Sequence, residues 1–287
     1  MEIKKKYIEY LEVHEELAPS TIREYSRMLN LIYDEAGSHP LVPLRTQSEY
    51  EDIIKAIAAR FTWSKGTRYR CSILFEGFGD YAYRERLVER KPYTNTFPKG
   101  NGKRVEFFTE EEFYRIAFNP FHSITDFCMS VLLWDCGMRK SELIELNVED
   151  VDVQEGIVRV INCKTGEERF NPITPFARAV MSLYMCMLGF QGRLKKGEPL
   201  FYSPTWNRIN ESTLARHLKG FEEIERPVKV FAHKFRHSLG GRVVAAGGDL
   251  SLVKELLGHK NLNTTMIYTH FAKDKLKMMH EKFASWK

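Results

Sequence analysis

From His233 to Tyr268 the chain reads HKFRHSLGGRVVAAGGDLSLVKELLGHKNLNTTMIY. His233, Arg236, His259 and Tyr268 fall along two or three short helices separated by glycine-rich breaks. No other stretch gathers so many groups suited to handling a phosphate. Arg139, far upstream, sits just inside a helix start, as Arg236 does, and Lys164 lies near the tip of a hairpin. Cutting a phosphodiester without a metal needs a nucleophile, charge on the non-bridging oxygens and a proton for the leaving oxygen. Arginine suits the second task, because its planar fork binds phosphate bidentately and stays charged. His233 and His259 can donate hydrogen bonds or carry protons near neutral pH. Lys164 can act as general acid, and Tyr268 can attack phosphorus and hold DNA as a phosphotyrosine.

Singly, each residue has a plainer role. Arg139 can pair with Glu142 on its own helix, and Glu142 is better placed to orient Arg139 than to act on a substrate. Tyr268, between Ile267 and Thr269, fits a core position, and Lys164 fits a solvated turn. His233 and His237 share a helix face, but no Glu follows His233 and no third ligand is evident, so neither a metal nor another cofactor is expected.

The elements that must position these groups can be read in order. Over 3–16 the apolar residues Ile3, Tyr7, Ile8 and Leu11 recur near helical spacing. Thr21 with Glu24, and Ser48 with Glu51, fit capping boxes that would open the next two helices. The second helix carries Ile22, Tyr25, Leu29, Ile32 and Tyr33 on one face and is closed by Gly37. A fourth helix is expected from about Ser64 to Arg86, with a basic start of Lys65, Arg68 and Arg70. The first 90 residues therefore read as a four-helix domain. Residues 91–104, KPYTNTFPKGNGKR, hold two prolines, two glycines and four basic residues with no acid. They read as a linker, 91–106, lying along a polyanion, with Lys99, Lys103 and Arg104 as contacts.

The second domain, 107–287, opens on a capping box at Thr109–Glu112. An apolar helix at Ile124–Cys136 follows, stopped by Gly137. After a short helix in GMRKSELIELNVEDVDV come two strand-like runs, Ile157–Ile161 and Arg169–Ile173, joined by a turn at Gly166. Further helices are expected at Pro175–Leu188 and Ser212–Ile224, with a loop at Gln191–Arg208 between them. An amphipathic tail helix is expected at Lys273–Trp286.

At 287 residues, 43% hydrophobic and 28% charged, the chain can bury a core. Its net charge of +5 permits a polyanionic partner. The first residues, MEIKKKYIEYLEVHEE, lack the apolar segment of a signal peptide, and no run of about 18 apolar residues exists to span a membrane. The five cysteines are scattered, which favours buried free thiols in a reducing compartment, hence a cytoplasmic, nucleoid-associated protein without a membrane partner.

Taken together the motifs resemble the tyrosine recombinase family, also called the phage integrase or Xer-type family. LLWDCGMRKSEL resembles its box holding the first catalytic arginine, here Arg139. HKFRHSLGGRVVAAGGDLSLVKELLGHKNLNTTMIYTH resembles its second box, giving His233, Arg236, His259 and the nucleophile Tyr268. Lys164 falls on the hairpin turn where the family carries its lysine. Residues 107–287 carry the resemblance, and PSTIREYSRML resembles a helix of the family's core-binding domain. Two departures stand out. Gly240 and Gly241 should loosen the helix after His-x-x-Arg, and Glu167 and Glu168 crowd Lys164.

The resemblance implies a mainly α fold with a small β-sheet: a SAM-like four-helix core-binding domain and an α+β catalytic domain, forming a clamp on duplex DNA. It implies a 3′-phosphotyrosyl intermediate, four protomers exchanging strands on two core sites through a Holliday junction, accessory proteins in some systems, and a tail helix docking on a neighbour. The 90 residues before the linker leave room for the core-binding domain only. Rival readings are type IB topoisomerase chemistry, a DNA-binding regulator with a dead site, and a protein-interaction module.

Overall fold

Tyr7 and Leu11, one helical turn apart, begin the apolar seam that organises the amino-terminal part of the chain. In a computed structural model, residues 2–15, 17, 19–36, 47–91, 97–98, 106–118, 123–163, 165–220 and 229–259 are described. The chain divides into two compact units, Met1–Lys103 and Arg104–Lys287.

The first unit contains α1 (Glu2–Val13), α2 (Pro19–Ala36), α3 (Gln47–Arg60) and α4 (Lys65–Arg84). Ile22, Leu29, Ile32, Ile54, Ile57, Phe75 and Phe78 are buried together with Tyr7 and Leu11. Helical spacing in each segment turns one stripe inward. Ser64 caps α4 by accepting from the Thr67 N–H at 3.2 Å.

Two expected caps are corrected. Thr21 lies inside α2, which Pro19 opens, a position where proline's missing N–H costs nothing. Ser48 lies inside α3, which already includes Gln47, and its hydroxyl turns to Asp52. Glu24 and Glu51, the presumed box partners, pair with Arg27 and Lys55. Gly37 and the helix expected at Lys273–Trp286 lie outside the described residues.

The second unit is built around α6 (Ile124–Cys136), which is apolar on nearly every side and accordingly sits inside the core. α5 (Glu110–Ala117) packs on it through Phe113, whose ring stacks on Trp134 at 4.3 Å and 3°. The predicted box at Thr109 is present: its hydroxyl accepts from the Glu112 N–H at 3.1 Å, and Glu112 accepts from the Thr109 N–H at 2.9 Å.

α7 (Lys140–Glu145) follows, then an antiparallel sheet in the order β1 (Val151–Asp152), β2 (Ile157–Ile161), β3 (Glu168–Pro172). The predicted hairpin is β2–β3, with Val160 opposite Arg169 and Val158 opposite Asn171. β1 adds a strand that the sequence reading lacked. α8 (Pro175–Phe190), α9 (Glu211–Gly220), α10 (Ala232–Ala245) and α11 (Leu250–Leu257) complete the unit. α10 runs unbroken through Gly240 and Gly241, both buried, so these glycines do not interrupt the helix. Cys71, Cys128 and Cys136 are buried as expected, whereas Cys163 and Cys186 are exposed. No helix among the described residues is long and apolar enough to cross a membrane.

Three polar ties fix the inner helices. Asn171, fully buried on β3, donates to Cys136 O at 3.2 Å and Leu256 O at 2.9 Å, joining the ends of α6 and α11. Ser238 on α10 accepts from the Phe108 N–H at 2.7 Å, and the Lys234 ammonium sits 4.2 Å from the centre of the Phe108 ring. Gly137 ends α6 at φ +55, and a Cβ there would come within 2.8 Å of Leu257 and 2.9 Å of Leu239. Gly137→Ala should therefore cost about 1–3 kcal/mol through left-handed strain and crowding. Urea unfolding of the two proteins checks this, and equal midpoints would refute it.

Candidate active site

Arg139 occupies the N-cap of α7, one residue earlier than the sequence reading placed it, in extended backbone with ψ 157. Its N–H donates to Oε2 of Glu142 at 2.8 Å, and its guanidinium donates to Oε1 at 2.6 Å. One carboxylate thus satisfies the helix terminus and holds the arginine. Glu142 orients Arg139, as expected, and its side chain is only 1% exposed.

A second arginine, which sequence reasoning missed, completes this arrangement. Arg169 on β3 forks onto the same carboxylate, donating to Oε1 at 3.0 Å and Oε2 at 2.8 Å. Its Nε–H donates to Leu256 O at 3.1 Å. Burial opposes the charge on Glu142, but the Arg169 fork and the N–H and guanidinium of Arg139 outweigh it and hold the pKa at about 2. Two guanidiniums share one carboxylate, so the local charge stays positive and invites an anion. A signal existed: Arg169 shares strand parity with buried Asn171 and pairs across from buried Val160. An arginine on the inward face of a strand calls for a buried acid.

Arg236 lies one turn into α10 and is buried. It donates to Gly137 O at 3.0 Å and to Leu257 O, bridging the ends of α6 and α11. Arg139 reaches toward the same corner, where its second terminal nitrogen lies 3.5 Å from Gly258 O. Gly258 ends α11 at φ +61, and the next residue, His259, is buried. Arg139, Arg236 and His259 therefore converge around 257–259.

His233, near the start of α10, keeps an exposed edge on a cleft of about 660 Å³ that Lys140, Leu218 and Phe231 also line. Partial burial of its ring and the charges of Arg236 and Arg139 lower its pKa. Burial, Arg236 and Arg139 bring His259 down to about 4. Burial and the neighbouring His233 do the same to His237, whose ring centre lies 6.4 Å from that of His233. At neutral pH the rings of His237 and His259 are uncharged, and the shift at His233 also favours its neutral form.

Lys164 and Tyr268 lie outside the described residues, as do Lys99, Lys103 and Arg104. Of the two glutamates in this turn, Glu167 accepts from Thr165 at 2.8 Å, and Glu168 lies 3.5 Å from Arg159. Lys65 and Arg70 are exposed on the first turns of α4, whereas Arg68 is half-buried and donates to Trp63 O at 3.3 Å.

Two arginines and a histidine gather at one corner of a helical unit with a small antiparallel sheet, an arrangement suited to holding an anion. Residues 103–275 match the phage integrase family, and the chain belongs to it. It is 27% identical to the tyrosine recombinase XerD of Oceanobacillus iheyensis across 96% of each chain, and 31% identical to XerD of Haemophilus influenzae across 71% of each. Its fold matches the Tn1549 transposon integrase in complex with transposon right end DNA, with a TM-score of 0.74 at 18% identity over 99% of each chain. The chain is a DNA strand transferase of the site-specific recombinase class, and the topoisomerase and dead-site readings are not favoured.

The titrations carry a sign. Glu142 has a folded pKa below its ordinary value near 4.3, so it contributes stability above about pH 4.3 that is lost as pH falls toward 2. His237 and His259, depressed from about 6.5 to about 4, resist protonation in the folded state, so stability is also lost as pH falls from 6.5 to 4. Chemical unfolding across pH 7.5–3 should show the upper loss flattened in a His237→Asn/His259→Asn variant. Glu142→Gln should lose about 3–5 kcal/mol at pH 7, chiefly by leaving the largely buried Arg169 guanidinium short of a partner. A wild-type profile that matches the double histidine variant between pH 6.5 and 4 would rule this account out.

Proposed function

We propose that Tyr268 is the nucleophile and that Arg139, Lys164, His233, Arg236 and His259 are the groups that serve it. The supporting observation is the convergence of Arg139, Arg236 and His259 at 257–259, with Arg139 fastened through Glu142. In this reading the Tyr268 oxygen bonds to the scissile phosphorus while the bond from phosphorus to the 5′ oxygen breaks. His233, whose lowered pKa favours the neutral ring, takes the tyrosine proton. Lys164 gives a proton to the departing 5′ oxygen. Arg139 and Arg236 neutralise the non-bridging oxygens, and His259 donates a hydrogen bond to one of them. The 3′-phosphotyrosyl bond conserves the phosphodiester energy, so a free 5′-hydroxyl can reverse the step on another strand without ATP.

The partner is duplex DNA carrying a specific core site. Residues 1–90 and 107–287 each contact the duplex, and the acid-free linker 91–106 follows the backbone with Lys99, Lys103 and Arg104. Lys65 and Arg70, exposed on α4, add phosphate contacts, with Arg68 beside them. Four protomers on two sites exchange strands in pairs through a Holliday junction, with accessory proteins where a site requires ordering. The segment Lys273–Trp286 docks on a neighbouring protomer, and the protein works at the nucleoid.

The wild-type protein should form a covalent adduct with nicked duplex DNA, seen on a denaturing gel, and sequencing the captured DNA gives the site. Tyr268→Phe should bind that duplex yet form no adduct, so an adduct from this variant would overturn the assignment. Arg139→Ala and Arg236→Ala should each slow cleavage on the order of 10²–10³-fold while weakening binding modestly. EDTA should leave cleavage unchanged.

A further inference from the structure

We propose that Arg169 is a positioning residue for Arg139, acting through the shared carboxylate of Glu142. The inference rests on the reading that Arg139 grips the scissile phosphate. Oε1 of Glu142 accepts from the guanidiniums of Arg139 and Arg169, at 2.6 and 3.0 Å. Oε2 accepts from the Arg139 N–H and from Arg169, both at 2.8 Å. A carboxylate has about four lone-pair sites, and here four donors occupy them. The carboxylate plane is therefore fixed in both rotation and tilt, and the fork of Arg139 is fixed with it.

Exposure separates the two arginines. The Arg139 side chain is 32% exposed and keeps donors free for a substrate, whereas that of Arg169 is 10% exposed and its donors point inward. Arg169 also ties together the elements around the site. From β3 it reaches the α7 N-cap through Glu142 and the last turn of α11 through Leu256 O. Its stem lies against Gly258, where a Cβ would come within 3.3 Å of it.

Charge follows the same logic. With Arg169 present, two guanidiniums face one carboxylate and Arg139 keeps a net attraction for phosphate. Without Arg169, Glu142 and Arg139 form a neutral pair, and half the carboxylate's acceptor sites lose their partners. Arg139 would then be both looser and electrostatically spent at the moment when charge develops on the phosphate.

The test uses the full chain and a nicked duplex of the captured sequence, in two forms. One carries the ordinary scissile phosphodiester. The other carries a methylphosphonate there, which removes the non-bridging charge that Arg139 would answer. In single-turnover cleavage, Arg169→Ala should slow the phosphodiester on the order of 10²-fold, the size typical of a misplaced catalytic group. It should slow the methylphosphonate far less, as Arg139→Ala should. The Arg139→Ala/Arg169→Ala double variant should be no slower than Arg139→Ala alone. Arg169→Lys, which keeps charge without the fork, should recover part of the rate, and it carries the comparison if Arg169→Ala does not fold. Equal losses on both substrates, or single-variant losses that multiply in the double variant, would overturn the positioning role. Wild-type cleavage by Arg139→Ala would instead overturn the reading of Arg139 on which the proposal rests.

Discussion

A carboxylate almost sealed from water is the constraint on which the catalytic unit depends. Glu142 is 1% exposed, and an isolated charge at such depth is prohibitively costly. It is tolerable only because two guanidiniums and a helix-capping N–H surround it. Each of those donors comes from a different structural demand: α7 must be capped, β3 must close the sheet, and Arg139 must be aimed. If any one is met poorly, the others suffer, because the same two oxygens serve all three. Replacing the cluster with apolar residues of similar volume would stabilise such a core about as well, so the ions are better explained by the geometry they impose.

Around that point the fold supplies carbonyls rather than more charge. The ends of α6 and α11 turn their last oxygens toward Arg236, Arg169 and Asn171. Helix carboxyl ends leave carbonyls without intrahelical partners and carry partial negative charge, so buried cations settle there. The left-handed glycines that finish both helices turn the chain sharply enough for the two ends to meet. His259 follows the second of these turns directly, and burial together with the surrounding cations disfavours a charge on its ring.

Much of this could be read from the amino-acid order. Helix α6, its stop at Gly137, the Thr109 box and the β2–β3 hairpin follow from short-range rules, because each depends on residues a few positions apart. The boxes at Thr21 and Ser48 fail for an instructive reason. The spacing of a hydroxyl and an acid three residues on also occurs inside helices, where those side chains are ordinary neighbours, and Pro19 had already opened α2. β1, at two residues, is too short for any alternation to show. Arg139, His233, Arg236 and His259 were recognisable because motif spacing marks them. Arg169 carries no such mark, since its partner is 27 residues away in sequence and found only once the sheet forms.

The seat of Phe108 sets a load path through the catalytic unit. The chain enters that unit on an amide clasped by Ser238 and a ring held under the Lys234 ammonium, both on α10. That helix also carries His233 and Arg236. Tension applied at Phe108 would therefore be borne first by the helix that carries His233 and Arg236. In mechanical terms Phe108 is a tendon inserted on α10.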